Sequence, residues 1–273
     1  MKKIFSSGLL LGLACLWVGG VARAQELFVF TEPASNMPAH TIGLRANNWL
    51  AQPEAGGTLN YRFNPEVMWG QSKNLMLHAE GYFSNNSGSF QAEGAGAYAK
   101  YRFYVRDTLY RHFRAAAFAR VSALKAPVQQ EEISLAGYNS GYGFGLVGTQ
   151  LLHRLALSSS LWWEHATDNV GSYEYPTAQP RDALNLSLSG GLLILPKQYT
   201  SYHNVNMNLM AELLGQQLLG SNKRYLDLAP SLQFIFNSQT RVDIGYRFEL
   251  YGNMERMAPN GLLLRVEHLL YDL

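Results

Sequence analysis

The sequence predicts an all-β chain, folded as a transmembrane, antiparallel up-and-down β-barrel of about twelve strands. Three observations predict it. Only 15% of the 273 residues are charged, while 12% are aromatic and 25 are glycine, which is poor in charge for a water-soluble domain. Beyond the first 24 residues no apolar run approaches the roughly 18 residues that a spanning helix needs, so a polytopic helical protein is excluded. The body instead alternates apolar and polar residues with period two over stretches of about ten residues, the signature of strands with one face toward lipid and one toward a lumen.

The elements follow in order. Lys2 and Lys3, the apolar run Ile4 to Val21 and the small-x-small site Ala22-Arg23-Ala24 form a secretory signal peptide, residues 1–24, with the mature chain starting at Gln25. The single cysteine, Cys15, leaves with it, which excludes a disulfide scaffold. Removing Lys2, Lys3 and Arg23 takes the 22 basic residues to 19, against 20 acidic ones. The mature chain is thus nearly neutral, with no basic excess of the kind that binds nucleic acid. Residues 25–39 are an unpatterned periplasmic lead-in, free either to plug the lumen or to fray.

Residues 40–273 are the barrel. Segment 59–69 sets Leu59, Tyr61, Phe63, Val67 and Trp69 against Asn60, Arg62, Asn64 and Glu66. Segment 241–250 sets Val242, Ile244, Tyr246, Phe248 and Leu250 against Arg241, Asp243, Gly245, Arg247 and Glu249, and segment 205–213 behaves alike. At 100° per residue a helix would scatter those polar sets all round its axis. Weaker segments at 41–50, 75–84, 91–103, 111–123, 140–150, 154–165, 183–193, 225–236 and 261–272 bring the total to twelve, the even count of a bacterial single-chain barrel. Short connections near 70–74, 104–110, 151–153 and 237–239, with a longer one at 196–203, alternate with long polar ones at 85–90, 124–139, 166–182, 214–224 and 251–260. Short periplasmic turns and long outer loops are the outer-membrane pattern. Aromatic residues near the strand ends, among them Trp69, Tyr82, Phe83, Tyr101, Phe103, Trp162, Trp163 and Tyr271, suit interfacial girdles. The competing architecture is a soluble sandwich or lipocalin-like barrel with an apolar interior.

Twelve tilted strands enclose a backbone cylinder of roughly 24 Å, leaving a path of about 10 Å at most. Strand parity points Arg45, Arg62, Lys100, Arg102, Arg114, Arg120, Arg241, Arg247 and Arg265 inward, with Glu80, Glu164, Glu212, Asp227, Asp243, Glu249 and Glu267. Charges of both signs in a narrow lumen must pair. Their near balance predicts either a salt-bridged filling or a weakly selective polar channel.

Candidate chemistry is sparse. His165 and Thr167 share the outer wall near the end of segment 154–165. Outer-membrane phospholipase and lipid A deacylase are similar barrels whose lipid-facing wall carries a His-x-Ser pair, in which the histidine activates the hydroxyl. Here the hydroxyl belongs to threonine and the sequence identifies no third orienting group, so the chain is read as a non-enzyme. Met76 and His78 share an inward face, but two residues do not make a metal site, and packing is the default for such a pair. No cofactor motif is present, and none is expected.

The runs Phe30-Thr31-Glu32-Pro33-Ala34-Ser35-Asn36-Met37-Pro38-Ala39, Ile42 to Arg45, Asn139 to Tyr142, Gly148 to Leu152 and Leu157 to Ser160 resemble an uncharacterised outer-membrane β-barrel family of the Bacteroidetes group. The resemblance implies a barrel in the bacterial outer membrane, inserted by the barrel assembly machinery and surrounded by outer-membrane lipid. It implies no activity and carries over no functional residue. The chain departs from the usual terminal signal in ending on Leu273, with Tyr271 two residues earlier on the same face. The expected role is a narrow porin or transporter for small polar solutes. The alternatives are a structural or adhesive barrel acting through loop 166–182, with Tyr173, Tyr175, Pro176 and Pro180 as its contact surface, and an outer-membrane lipid hydrolase.

Overall fold

The computed structural model describes residues 28–51, 59–109, 111–197 and 204–271. The predicted signal peptide, Tyr110, His203 and Leu273 lie outside these residues. The described chain is a closed antiparallel barrel in which each strand pairs with its sequence neighbours. The strands are β1 (Thr41–Ala51), β2 (Asn60–Gly70), β3 (Leu75–Ser84), β4 (Gln91–Asp107), β5 (Arg111–Leu124), β6 (Gly141–Leu152), β7 (Leu155–Ala166), β8 (Asp182–Leu195), β9 (Asn206–Leu218), β10 (Arg224–Phe236), β11 (Thr240–Gly252) and β12 (Gly261–Leu270). β1 closes the barrel on β12, from Ile42 opposite Leu270 to Ala51 opposite Gly261.

All twelve predicted segments are strands. β4 and β9 run furthest past their alternation, β4 to Asp107 and β9 to Leu218. A bulge between Arg102 and Tyr104 resets the inside–outside order of β4, so parity counting stops there although pairing with β5 continues to Asp107 opposite His112. In β9 the run Gln216-Gln217 hides the alternation, yet Gln216 is buried and Gln217 bonds back to the outer loop. The predicted 214–224 loop is correspondingly reduced to five residues between β9 and β10.

The burial pattern decides between the two barrel types. Outward residues are large and apolar: Phe144 is 60% exposed and Leu146 58%, and Leu161, Leu186, Leu188, Leu209 and Ile244 stand in the same belt. Inward residues include fully buried Lys100, Glu212, Asp227 and Asp243. A soluble barrel has the reverse arrangement, and an apolar belt of this extent in water would be an association surface. The barrel is therefore polar within and apolar without. Tyr82 departs from the girdle role expected for it. It follows His78 and Glu80 onto the inner face, is wholly buried, and donates its hydroxyl to Glu80 Oε2 at 2.8 Å.

Candidate functional site

The candidate site is the lumen, and its floor is the lead-in segment. Residues 28–39 lie inside the barrel, entering from the end that carries the short turns, where the His40 N–H donates to Gly70 O at 2.7 Å. An extended segment with no strand partner needs acceptors for its backbone N–H groups. Glu212 of β9 supplies them. Its Oε1 accepts from the N–H groups of Val29 and Phe30, both at 2.8 Å, and its Oε2 from Thr31 N at 3.0 Å and Thr31 Oγ1 at 2.6 Å. Lys100 of β4, wholly buried, donates from Nζ to the carbonyls of Pro33 at 2.7 Å and Ser35 at 2.9 Å. Glu32 pairs with Arg45 at 2.7 Å, Ala34 N donates to Thr149 Oγ1 and Arg114 donates to Ser35 Oγ. Phe28 and Val29 pack on Leu151, Ala156, Met210 and Leu263, so the segment has both a polar and an apolar seat.

The ceiling is the loop between β5 and β6, residues 125–140, which folds inward. Ile133 donates its N–H to Gln216 Oε1, and Gln216 Nε2 donates back to Ile133 O at 2.7 Å. Tyr82 reaches Leu135 O and Asn64 reaches Ala136 O. Glu132 anchors the loop to Arg256, on the neighbouring loop between β11 and β12, with Nε to Oε2 at 2.9 Å. Arg256 is buried, grips both carboxylate oxygens of Asp227 at 2.9 and 2.7 Å, bonds Glu249 at 2.9 Å, and lies 3.7 Å over the Tyr225 ring. Arg247 completes the cluster on Asp227 and Glu132. Burial pushes the Glu132 carboxyl up, but Arg256 and Arg247 outweigh it and hold the group down at about 2.

Floor and ceiling leave a chamber of about 220 Å³ between them, bounded by Val29–Glu32 below and Glu132–Tyr138 above. Of the predicted lumenal residues, Arg45, Arg62, Glu80, Arg120, Arg247 and Arg265 line it. Arg241, Asp243 and Glu267 form a buried ion-pair row on the adjacent wall, with Arg241 to Glu267 at 2.8 Å. Lys100, Arg114 and Glu212 hold the floor, while Asp227 and Glu249 hold the ceiling. Arg102 sits at the turn end and donates to Lys73 O at 2.6 Å. Four further residues complete the lumen. Glu66 is legible on the polar face of segment 59–69, whereas Glu32, Glu132 and Arg256 lie in irregular segments whose direction no periodicity indicates.

Two expectations for the outer rim are altered. Tyr175 is buried, packs among Ile133, Leu218 and Tyr225 and donates its hydroxyl to Pro180 O, so it offers no contact surface; Tyr173 stays exposed. His165 does have an orienting carboxylate, because Asp182 Oδ1 stands 2.9 Å from its Nδ1 across the β7–β8 pair. The Thr167 hydroxyl, however, turns to Asp168 O at 3.5 Å. Among the described residues no hydroxyl is hydrogen-bonded to His165, so the relay needed for an activated nucleophile is not assembled.

No family model matches this chain, and no curated protein matches it. Solved structures do. The KdgM porin matches with a TM-score of 0.51 at 8% identity, over 85% of this chain and 99% of that one. The likeness is one of fold. OprD of Pseudomonas aeruginosa (TM-score 0.40, 8% identity, 89% and 99% of the two chains) and OccK5 of the same organism (0.40, 12%, 84% and 67%) are more distant.

Proposed function

We propose that the protein is a narrow channel of the bacterial outer membrane for small polar solutes, held closed by its N-terminal segment and its inward-folded loop. The observation that carries this reading is the charge-lined chamber between two stoppers inside a barrel whose outer wall is apolar. A lumen that needed only to be filled would be packed to the density of a protein interior; here space for several water molecules remains. Both bases and acids line that space, which favours passage of polar solutes with weak preference for either sign.

The apolar belt and the sequence resemblance support a place in outer-membrane lipid, after export and insertion by the barrel assembly machinery. The same reading assigns the chain to the Bacteroidetes barrel family that it resembles. Single-channel recording of the folded protein in planar bilayers tests the channel. Wild type is expected to stay closed with brief small openings, and a variant lacking both residues 25–39 and the inward part of loop 125–140 to open steadily. Silence from both, with heat-modifiable β-rich folding intact, would overturn the reading and move attention to the outer loops.

A further inference from the structure

We propose that Glu66, His78 and Glu80 form a lumenal binding site for a divalent transition-metal ion of the zinc class. Strand pairing builds the site. Glu66 on β2 stands directly opposite Glu80 on β3, and His78 precedes Glu80 by two residues and so shares its inward face. One ligand atom from each residue lies within 4.8 Å of the others. His78 Nδ1 is 3.4 Å from Glu66 Oε2. Two like charges directly opposite on one sheet face are unfavourable unless something positive offsets them.

The present offsets are incomplete. The His78 side chain is 1% exposed, and its Nε2 has no hydrogen-bond partner. Glu80 Oε1 accepts no hydrogen bond either, although Arg120 Nη2 stands 3.2 Å away. A buried polar atom with no hydrogen bond is costly; Nε2 lies across the ring from the Nδ1 that faces Glu66, and Glu80 Oε1 has the Arg120 ion pair in place of a hydrogen bond. The other oxygens are already held: Asn47 donates to Glu66 Oε1 at 2.6 Å, and Tyr82 to Glu80 Oε2 at 2.8 Å. Such contacts fix the orientation of a carboxylate that binds metal.

An ion would displace two guanidinium contacts, Arg45 Nη1 on Glu66 Oε2 at 3.1 Å and Arg120 Nη2 on Glu80 Oε1 at 3.2 Å, and both arginines have a second seat. If Glu66 Oε2 turned to the metal, Arg45 would keep Glu32 and Glu267, both at 2.7 Å. Arg120 would keep its place over the Tyr98 ring. One imidazole and two carboxylates suit zinc and its neighbours, whereas calcium and magnesium prefer oxygen alone. Glu66 and Glu80 also line the chamber, leaving a fourth position for water or for a solute.

The test uses the folded full-length mature barrel in detergent micelles, cleared with a chelator and titrated with Zn²⁺ against a chromophoric competitor. One tightly held equivalent is expected, with affinity falling at least about 30-fold in both His78→Gln and Glu80→Gln. X-ray absorption of the zinc-loaded wild type should show one imidazole and oxygen ligands near about 2.0 Å. That reading decides the matter if the variants fail to fold. Absence of a tight equivalent overturns the proposal. So does one unchanged in His78→Gln, since it would then belong to surface histidines such as His112 or His268. Because the readout is equilibrium binding, its failure is independent of whether the barrel conducts.

Discussion

Changing Glu212 to glutamine should release the lumenal segment while leaving the barrel intact. One carboxylate accepts four hydrogen bonds from residues 29–31 and a fifth, at 3.2 Å, from Ser189 Oγ. Glutamine keeps one acceptor oxygen and turns an amide nitrogen toward the donors of the other. At least two charge-assisted bonds are lost, each worth about 1.5–3 kcal/mol net. Relief of the buried charge returns part of this, for a net weakening of about 3 kcal/mol. That corresponds to about a hundredfold rise in the released fraction. The assay is maleimide labelling of a cysteine introduced by Ala34→Cys into residues 25–273, which contain no cysteine of their own, and residue 34 is fully buried in its seat. Labelling in the Glu212→Gln background should be about a hundredfold faster than in the otherwise wild-type chain, and bilayer openings should be more frequent. Thr31→Val, which removes the hydroxyl contacts to Glu212 at 2.6 Å and Ser189 at 2.9 Å but keeps the backbone ones, should give a smaller rise of about tenfold. Equal labelling rates in all three folded proteins would refute the idea that Glu212 holds the segment.

Three further outcomes follow from the ceiling. Arg256→Ala leaves Asp227 and Glu132 with Arg247 as their one remaining shared cation and should cost about 3 kcal/mol, the low end for breaking a buried pair, read as a fall in the midpoint of thermal unfolding; an unchanged midpoint would contradict the cluster's role. Because the Glu132 carboxyl is held at about 2 in the folded protein, against an ordinary value of 4.5, the stability it lends is full above about pH 4.5. It is lost as the pH falls toward 2. Proteolysis within residues 125–140 should therefore accelerate over that window, and a Glu132→Gln variant should lack the dependence. Gly137 has φ +107°, a conformation that residues with a Cβ rarely adopt, and a Cβ there would also press on the Arg62 guanidinium and stand 3.0 Å from the Tyr82 ring. Gly137→Ala should accordingly lift the loop and raise conductance, with no change in the strand signal of circular dichroism.

The fate of individual residues shows where periodicity carries information and where it stops. Arg45, Arg62, Glu80, Arg120 and Arg265 could be placed in the lumen because each sits in a strand whose side chains alternate strictly, so identity and parity fix direction. The same alternation placed the apolar belt outside. Tyr82 has the chemistry of an interfacial girdle, but its parity with His78 and Glu80 turns it inward. His165 and Asp182 lie on consecutive strands joined by a long loop, and only the β7–β8 register brings them opposite each other.

By itself the sequence determined the strand count, the barrel, its closed antiparallel order and the polarity of its two faces, because each follows from local alternation and connection length. Tertiary structure alone decided that two irregular segments fold into the lumen from its two ends. Residues 28–39 and 125–140 have no period to read. Their positions depend on Glu212, Lys100, Gln216 and Arg256, which lie between about 65 and 183 residues away along the chain. Which buried donor meets which acceptor across a barrel is a property of register and loop closure, and it exists only once the last strand has paired with the first.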